Sequence, residues 1–137
     1  MRARRILACL AAALVAAVLC ASLASAAGKG SGTYRGKTAQ GKPIKLTAGP
    51  ASLTLGGFQI RLLCHDGSLL FASVSGFEAT PVKGGRFADT QYGKSDVVHW
   101  EGTVGPGKVK GRVEVEDKLA SGMHCVSGPV KFVAAGG

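Results

Sequence analysis

From Thr33 onward the apolar residues recur at every second position, and no long window shows the three-to-four spacing of a helix face. In the run beginning at Phe58, the residues Phe58, Ile60, Leu62 and Cys64 alternate with polar or solvent-facing neighbours. Ile44 and Leu46 share one face while Lys45 and Thr47 take the other. Val113 and Val115 read as inward, with Arg112, Glu114 and Glu116 facing water. Glycine and proline punctuate these runs. The predicted strands are Thr33 to Thr38, Ile44 to Ala48 behind Pro43, Ala51 to Leu55, Phe58 to Cys64, and Leu69 to Thr80 with a bulge at Gly76. Arg86 to Thr90 follows the turn at Gly84-Gly85, and Gln91 to Asp96 reads as a polar loop. Val97 to Val104 and Val109 to Lys118 form a hairpin across Gly105-Pro106-Gly107. The last strand, His124 to Ala134, is interrupted at Ser127-Gly128-Pro129. Turn signals at this spacing predict an all-β fold, an antiparallel β-sandwich or small β-barrel of about eight to ten short strands.

Residues 1–26 follow a different pattern. Arg2, Arg4 and Arg5 precede an uncharged Ala/Leu/Val run from Ile6 to Leu23, and Ala24-Ser25-Ala26 supplies a cleavage site. This predicts a helical signal peptide, although the apolar run is also long enough for a retained membrane anchor. Leu19 is too bulky to precede a lipidated Cys20. Residues 27–32 (A-G-K-G-S-G) have no apolar face and read as a flexible lead-in, which leaves a single β-domain over 33–137.

Cleavage after Ala26 changes both the charge and the cysteine arithmetic. The leader takes three of the 17 basic residues and none of the eight acidic ones, so the exported part carries a net charge of +6. Its lysines and arginines are spread along every segment, as in Lys108-Val109-Lys110, and read as the solvated side of strands. No basic run is interleaved with aromatics, which argues against nucleic acid. Attraction to an anionic cell-envelope polymer or to lipid headgroups fits the charge better. Cys9 and Cys20 leave with the leader. The two remaining thiols, Cys64 and Cys125, reach an oxidising compartment and are expected to form one disulfide.

The ordered motifs Y-R-G-K-T-A-Q-G-K-P-I (Tyr34 to Ile44), C-H-D-G-S (Cys64 to Ser68), K-G-G-R-F (Lys83 to Phe87), G-K-V-K-G-R-V (Gly107 to Val113) and A-S-G-M-H-C-V-S-G-P-V-K-F-V-A (Ala120 to Ala134) span most of the exported chain. In this it resembles a group of small secreted β-domain proteins from soil actinobacteria that has no established activity. The resemblance implies a secreted β-domain with one disulfide between the matching cysteines. It carries over no catalytic residue or ligand, and Gln91 to Trp100 departs from the pattern.

Three sets of residues are candidates for chemistry. His65 and His124 each neighbour a cysteine, so a disulfide pointing inward would place both imidazoles outside and close together, with Asp66 as a third metal ligand. The competing reading is two solvated histidines beside a structural staple. His99 and Glu101 share a strand face opposite Trp100 and could form an acid–base pair, or be an ordinary solvent-facing alternation. Tyr92, Tyr34 and Trp100 are the aromatics able to contact a sugar or peptide, with burial the expectation for Trp100. No Gly-x-Ser-x-Gly elbow or phosphate loop is present. The sequence therefore points to a monomeric, non-enzymatic, cofactor-free cell-envelope or extracellular binding module with no membrane contact after cleavage. Its ligand would be an anionic envelope polymer or a carbohydrate. The alternative is a small secreted metal-dependent or hydrolytic enzyme.

Overall fold

A computed structural model describes residues 32–136; the leader with its expected helix, and the lead-in as far as residue 31, lie outside the described residues. Every described element is a strand: β1 (Gly32–Thr38), β2 (Pro43–Ala48), β3 (Ser52–Leu55), β4 (Phe58–Cys64), β5 (Leu69–Val74), β6 (Ala79–Pro81), β7 (Arg86–Tyr92), β8 (Asp96–Gly105), β9 (Lys108–Lys118), β10 (His124–Val126) and β11 (Val130–Gly136). All pairings are antiparallel and belong to one sheet. The architecture is a single curled sheet, a half-barrel, rather than two sheets stacked as a sandwich.

The long strand β9 is its trunk. One edge of β9 pairs with β8, which pairs with β7. The other edge is shared: Glu116 to Lys118 pair with β10, and Lys108 to Val113 pair with β11. The sheet forks there. From β10 it continues to β4 and β5, and from β11 to β1, β2, β3 and β6. Ser127 mends the fork, since its N–H donates to the Val115 carbonyl and its Oγ accepts from the Val115 N–H, both at 2.9 Å. Curling needs close strand approach, and glycine supplies it: a side chain at Gly36 would overlap the Val133 carbonyl, and Gly102 and Gly111 are direct partners without room for a Cβ.

The concave side holds the core. Ile60, Leu62, Trp100, Val113, Val115 and Cys125 are completely or almost completely buried, together with the alternate residues of β2 and β3. The alternation in β4 is strict, with Phe58, Ile60, Leu62 and Cys64 buried and Gln59, Arg61 and Leu63 exposed.

Cys64 and Cys125 are bonded. They are direct cross-strand partners on β4 and β10. The Cα–Cα distance of 3.9 Å lies below the common span of roughly 4.4–6.8 Å. The register accounts for the direction of that difference. The His65 N–H donates to the His124 carbonyl and the Cys64 N–H turns away to Ser68, which marks a non-hydrogen-bonded pair, the closer of the two antiparallel types.

At its far edge the sheet curls until β6 meets β7. Only the bridge Lys83–Arg86 joins the backbones there, and side chains close the rest. Gln91 binds the Glu78 backbone through both ends of its amide. Thr80, fully buried, accepts from Trp100 Nε1 at 3.1 Å and donates to Asp89 Oδ2 at 2.8 Å. Burial, the largest single influence, pushes the Asp89 carboxyl up; hydrogen bonds from Gln91, Thr80 and the Thr90 N–H together outweigh it and hold the group below its ordinary value. A depressed folded-state pKa contributes stability that is present above the unfolded value of about 3.9 and lost as pH falls through the folded one. Asp89→Asn should therefore shrink the loss of stability between pH 5 and pH 2, read from urea midpoints across that range.

Three expectations change. The predicted run Leu69 to Thr80 is two strands, not one bulged strand: at Gly76, with φ of 83°, the chain leaves β4 and crosses to pair with β3. The expected loop Gln91 to Asp96 contracts to Gly93–Ser95, because Gln91 and Tyr92 pair with Val98 and Val97. Gly32, placed in the lead-in, pairs with Ala48 as the first residue of β1. With the split, the strand number rises to eleven.

Candidate functional site

The exposed side chains of β7, β8, β9, β11, β1 and β2 form rows across the outer face of the sheet, and three adjacent rows carry most of the positive charge. The first row runs Lys108, Ala135, Arg35, Lys45. The second runs Arg86, Thr103, Lys110, Val133, Lys37, Pro43, with Lys83 bridged to Arg86 at its end. The third runs Ala88, Glu101, Arg112, Lys131. Nine cations thus share one band, and all nine are exposed. Among the described residues only Lys42, Arg61, Lys94 and Lys118 lie outside it. Of the eight carboxylates, Glu101 alone lies within it.

The fold produces this segregation through register. Because side chains alternate on a strand, Lys108, Lys110 and Arg112 all face outward on β9, as do Arg35 and Lys37 on β1. β11 lies between these two strands and presents Lys131, Val133 and Ala135 on the same face. One flank of the band opens into a shallow groove of about 910 Å³. Its basic lining is Lys83, Arg86, Lys110, Arg112 and Lys131, and its acidic lining is Glu101, which ion-pairs with Arg112.

Arg35 stands directly opposite Lys45, and Arg112 opposite Lys131. Like charges across an antiparallel pair are destabilising by some tenths of a kcal/mol to about 1 kcal/mol. The Arg35–Lys45 pair breaks a local rule of sheet design that a bound anion would relieve, whereas Arg112 already has Glu101 as its cross-strand ion-pair partner. Lysine and arginine offer donors and no acceptor, so this band suits a multiply charged anion whose charges are spread along its length.

The residues singled out in the sequence are placed as follows. Strands β4 and β10 are neighbours, so His65 and His124 do lie on adjacent strands. His65 Nδ1 lies 3.4 Å from both the backbone N and O of His124. His124 Nε2 is 3.5 Å from Glu116 Oε2, an ion-pair distance rather than a hydrogen bond. Asp66 is committed to its own turn: its Oδ1 accepts from the Ser68 hydroxyl and the Ser68 N–H, which hold the carboxyl below its ordinary range. Among the described residues no group of three or more His, Cys, Asp or Glu side chains is arranged to hold a metal ion.

Trp100 is fully buried against Phe87, with ring centroids 4.6 Å apart, and offers no contact surface. Tyr34 is half-buried against the core. Tyr92, at the end of β7 rather than in a loop, is 79% exposed. His99 and Glu101 do share a face, with Nε2 3.6 Å from Oε2, and His99 Nδ1 lies 2.8 Å from Thr90 Oγ1.

The cationic band is the feature that the sequence did not disclose. Along the sequence its members are dispersed, and only the register brings them together. Compared with protein-family models, with curated proteins and with solved structures, the chain matches none.

Proposed function

We propose that the chain is an exported binding module, not an enzyme, which holds a linear polyanion of the cell envelope against its cationic band. The observation that carries this reading is the gathering of nine cations on three rows that contain one carboxylate. Export rests on the leader pattern of residues 1–26 and agrees with a disulfide that would persist only outside a reducing cytosol. A carbohydrate component of the ligand would find a platform at Tyr92 rather than at Trp100.

A second reading, a small hydrolytic enzyme, is favoured by the contiguous Thr90, His99 and Glu101 on β7 and β8. It requires turnover of an ester or glycoside that His99→Ala abolishes.

Charge reversal separates site from net charge. Lys110→Glu with Arg112→Glu should lower polyanion affinity at least tenfold at constant ionic strength. Lys94→Glu with Lys118→Glu carries the same change in net charge outside the band and should lower it far less. Equal losses in both pairs would mean that the protein attracts anions by overall charge alone.

A further inference from the structure

We infer that the band contains three anion seats in line along β11, spaced for a phosphodiester polymer with a three-carbon polyol between phosphates. This deepens the polyanion-binding reading and rests on it. At the first seat Ala135 is flanked by Lys108 on β9 and Arg35 on β1. At the second, Val133 is flanked by Lys110 and Lys37. At the third, Lys131 itself stands beside Arg112.

The geometry is that of a track with two rails. Strands β9 and β1 are each one strand away from β11, so the rails stand about 9.6 Å apart and a charge lying over β11 is within reach of both. Successive seats are two residues apart along the strand, or about 6.7 Å. An extended phosphodiester chain with three carbons between phosphates advances six bonds per repeat, about 7 Å, and keeps step with the seats. A polyuronate, with its carboxylates one sugar ring apart, does not share that repeat.

The floor of the track supports the same assignment. Val133, 46% exposed, and Ala135 give an aliphatic surface between the rails, suited to a carbon spacer. No aromatic ring stands among the seat residues to stack a base, which sets the track apart from single-strand nucleic-acid grooves. Arg35 adds a planar fork that binds phosphate through two donors, while Arg112 shares its guanidinium with Glu101.

The assignment is tested by binding to the purified protein at fixed ionic strength. The probes are oligo(glycerol phosphate) of one to six units, with oligogalacturonides and oligo(dT) of matched charge. Affinity should climb steeply up to three phosphates and flatten beyond. Lys37→Gln with Lys110→Gln should weaken the three-unit probe at least tenfold, and Lys94→Gln with Lys118→Gln less than twofold. Equal affinity for oligo(dT), whose backbone also runs six bonds between phosphates, would overturn the polyol assignment. Equal affinity per charge for oligogalacturonide, or no step at three units, would overturn the seats and leave polyanion binding standing. No binding to any of the probes would overturn both.

Discussion

Replacing Trp100 with alanine is expected to lower the stability of the protein by about 3–5 kcal/mol, a large part of the total for a domain this size. The side chain is fully buried, packs on Phe87, and supplies the N–H that satisfies Thr80 at the β6–β7 seam. Alanine would leave a cavity where β8 meets the seam and strip Thr80 of one partner. Trp100→Phe separates the two contributions, because it keeps a ring and removes the N–H. It should cost about 1–3 kcal/mol through poorer packing and the lost hydrogen bond. Denaturant midpoints of the two variants measure both. A loss below about 1.5 kcal/mol for Trp100→Ala would mean that the seam is not closed through this residue.

Loss of the Cys64–Cys125 bond should cost roughly 4 kcal/mol, from the chain entropy that a 61-residue separation returns to the unfolded state. The topology also says where the damage falls. In the hydrogen-bonded ladder, strands β4 and β5 join the trunk through the three-residue strand β10, whose pairing with β4 covers two positions. Gln40 helps from the other side, its amide bonding the N and O of Arg61, but that contact is exposed. Reduction, or Cys64→Ala with Cys125→Ala, should therefore raise amide exchange in β4 and β5 before it does so in β8, β9 and β11. Uniform loss of protection across the sheet would contradict this order.

How much of this could be read from the letters depends on the range of the interaction. The alternation of Phe58 to Cys64 fixed which side chains face the core, because period two is a property of one strand. The hairpin at Gly105-Pro106-Gly107 was equally legible, being closed by residues near in sequence; Gly107 has φ of 64°. The break within Leu69 to Thr80 was not legible, since both halves suit a strand and only the pairing of β6 with β3 shows that the chain has changed neighbours. The band is the extreme case. Lys37, Lys110 and Val133 are far apart in the chain, and they meet only through the registers of β1 with β11 and β11 with β9. A sequence signal was present all the same. Lys108, Lys110 and Arg112 repeat at period two with no acidic residue between them, unlike Arg112 to Glu116 just beyond.

The most direct measurement is an amide chemical-shift titration of the isotope-labelled protein with poly(glycerol phosphate), and then with a polyuronate. If the band holds the polymer, the largest shifts fall on Arg35 to Lys37, Lys108 to Arg112 and Lys131 to Ala135, while Phe58 to Val74 stays in place. Shifts concentrated on β4 and β5, or none with either polymer, would contradict the assignment of the band as the binding surface.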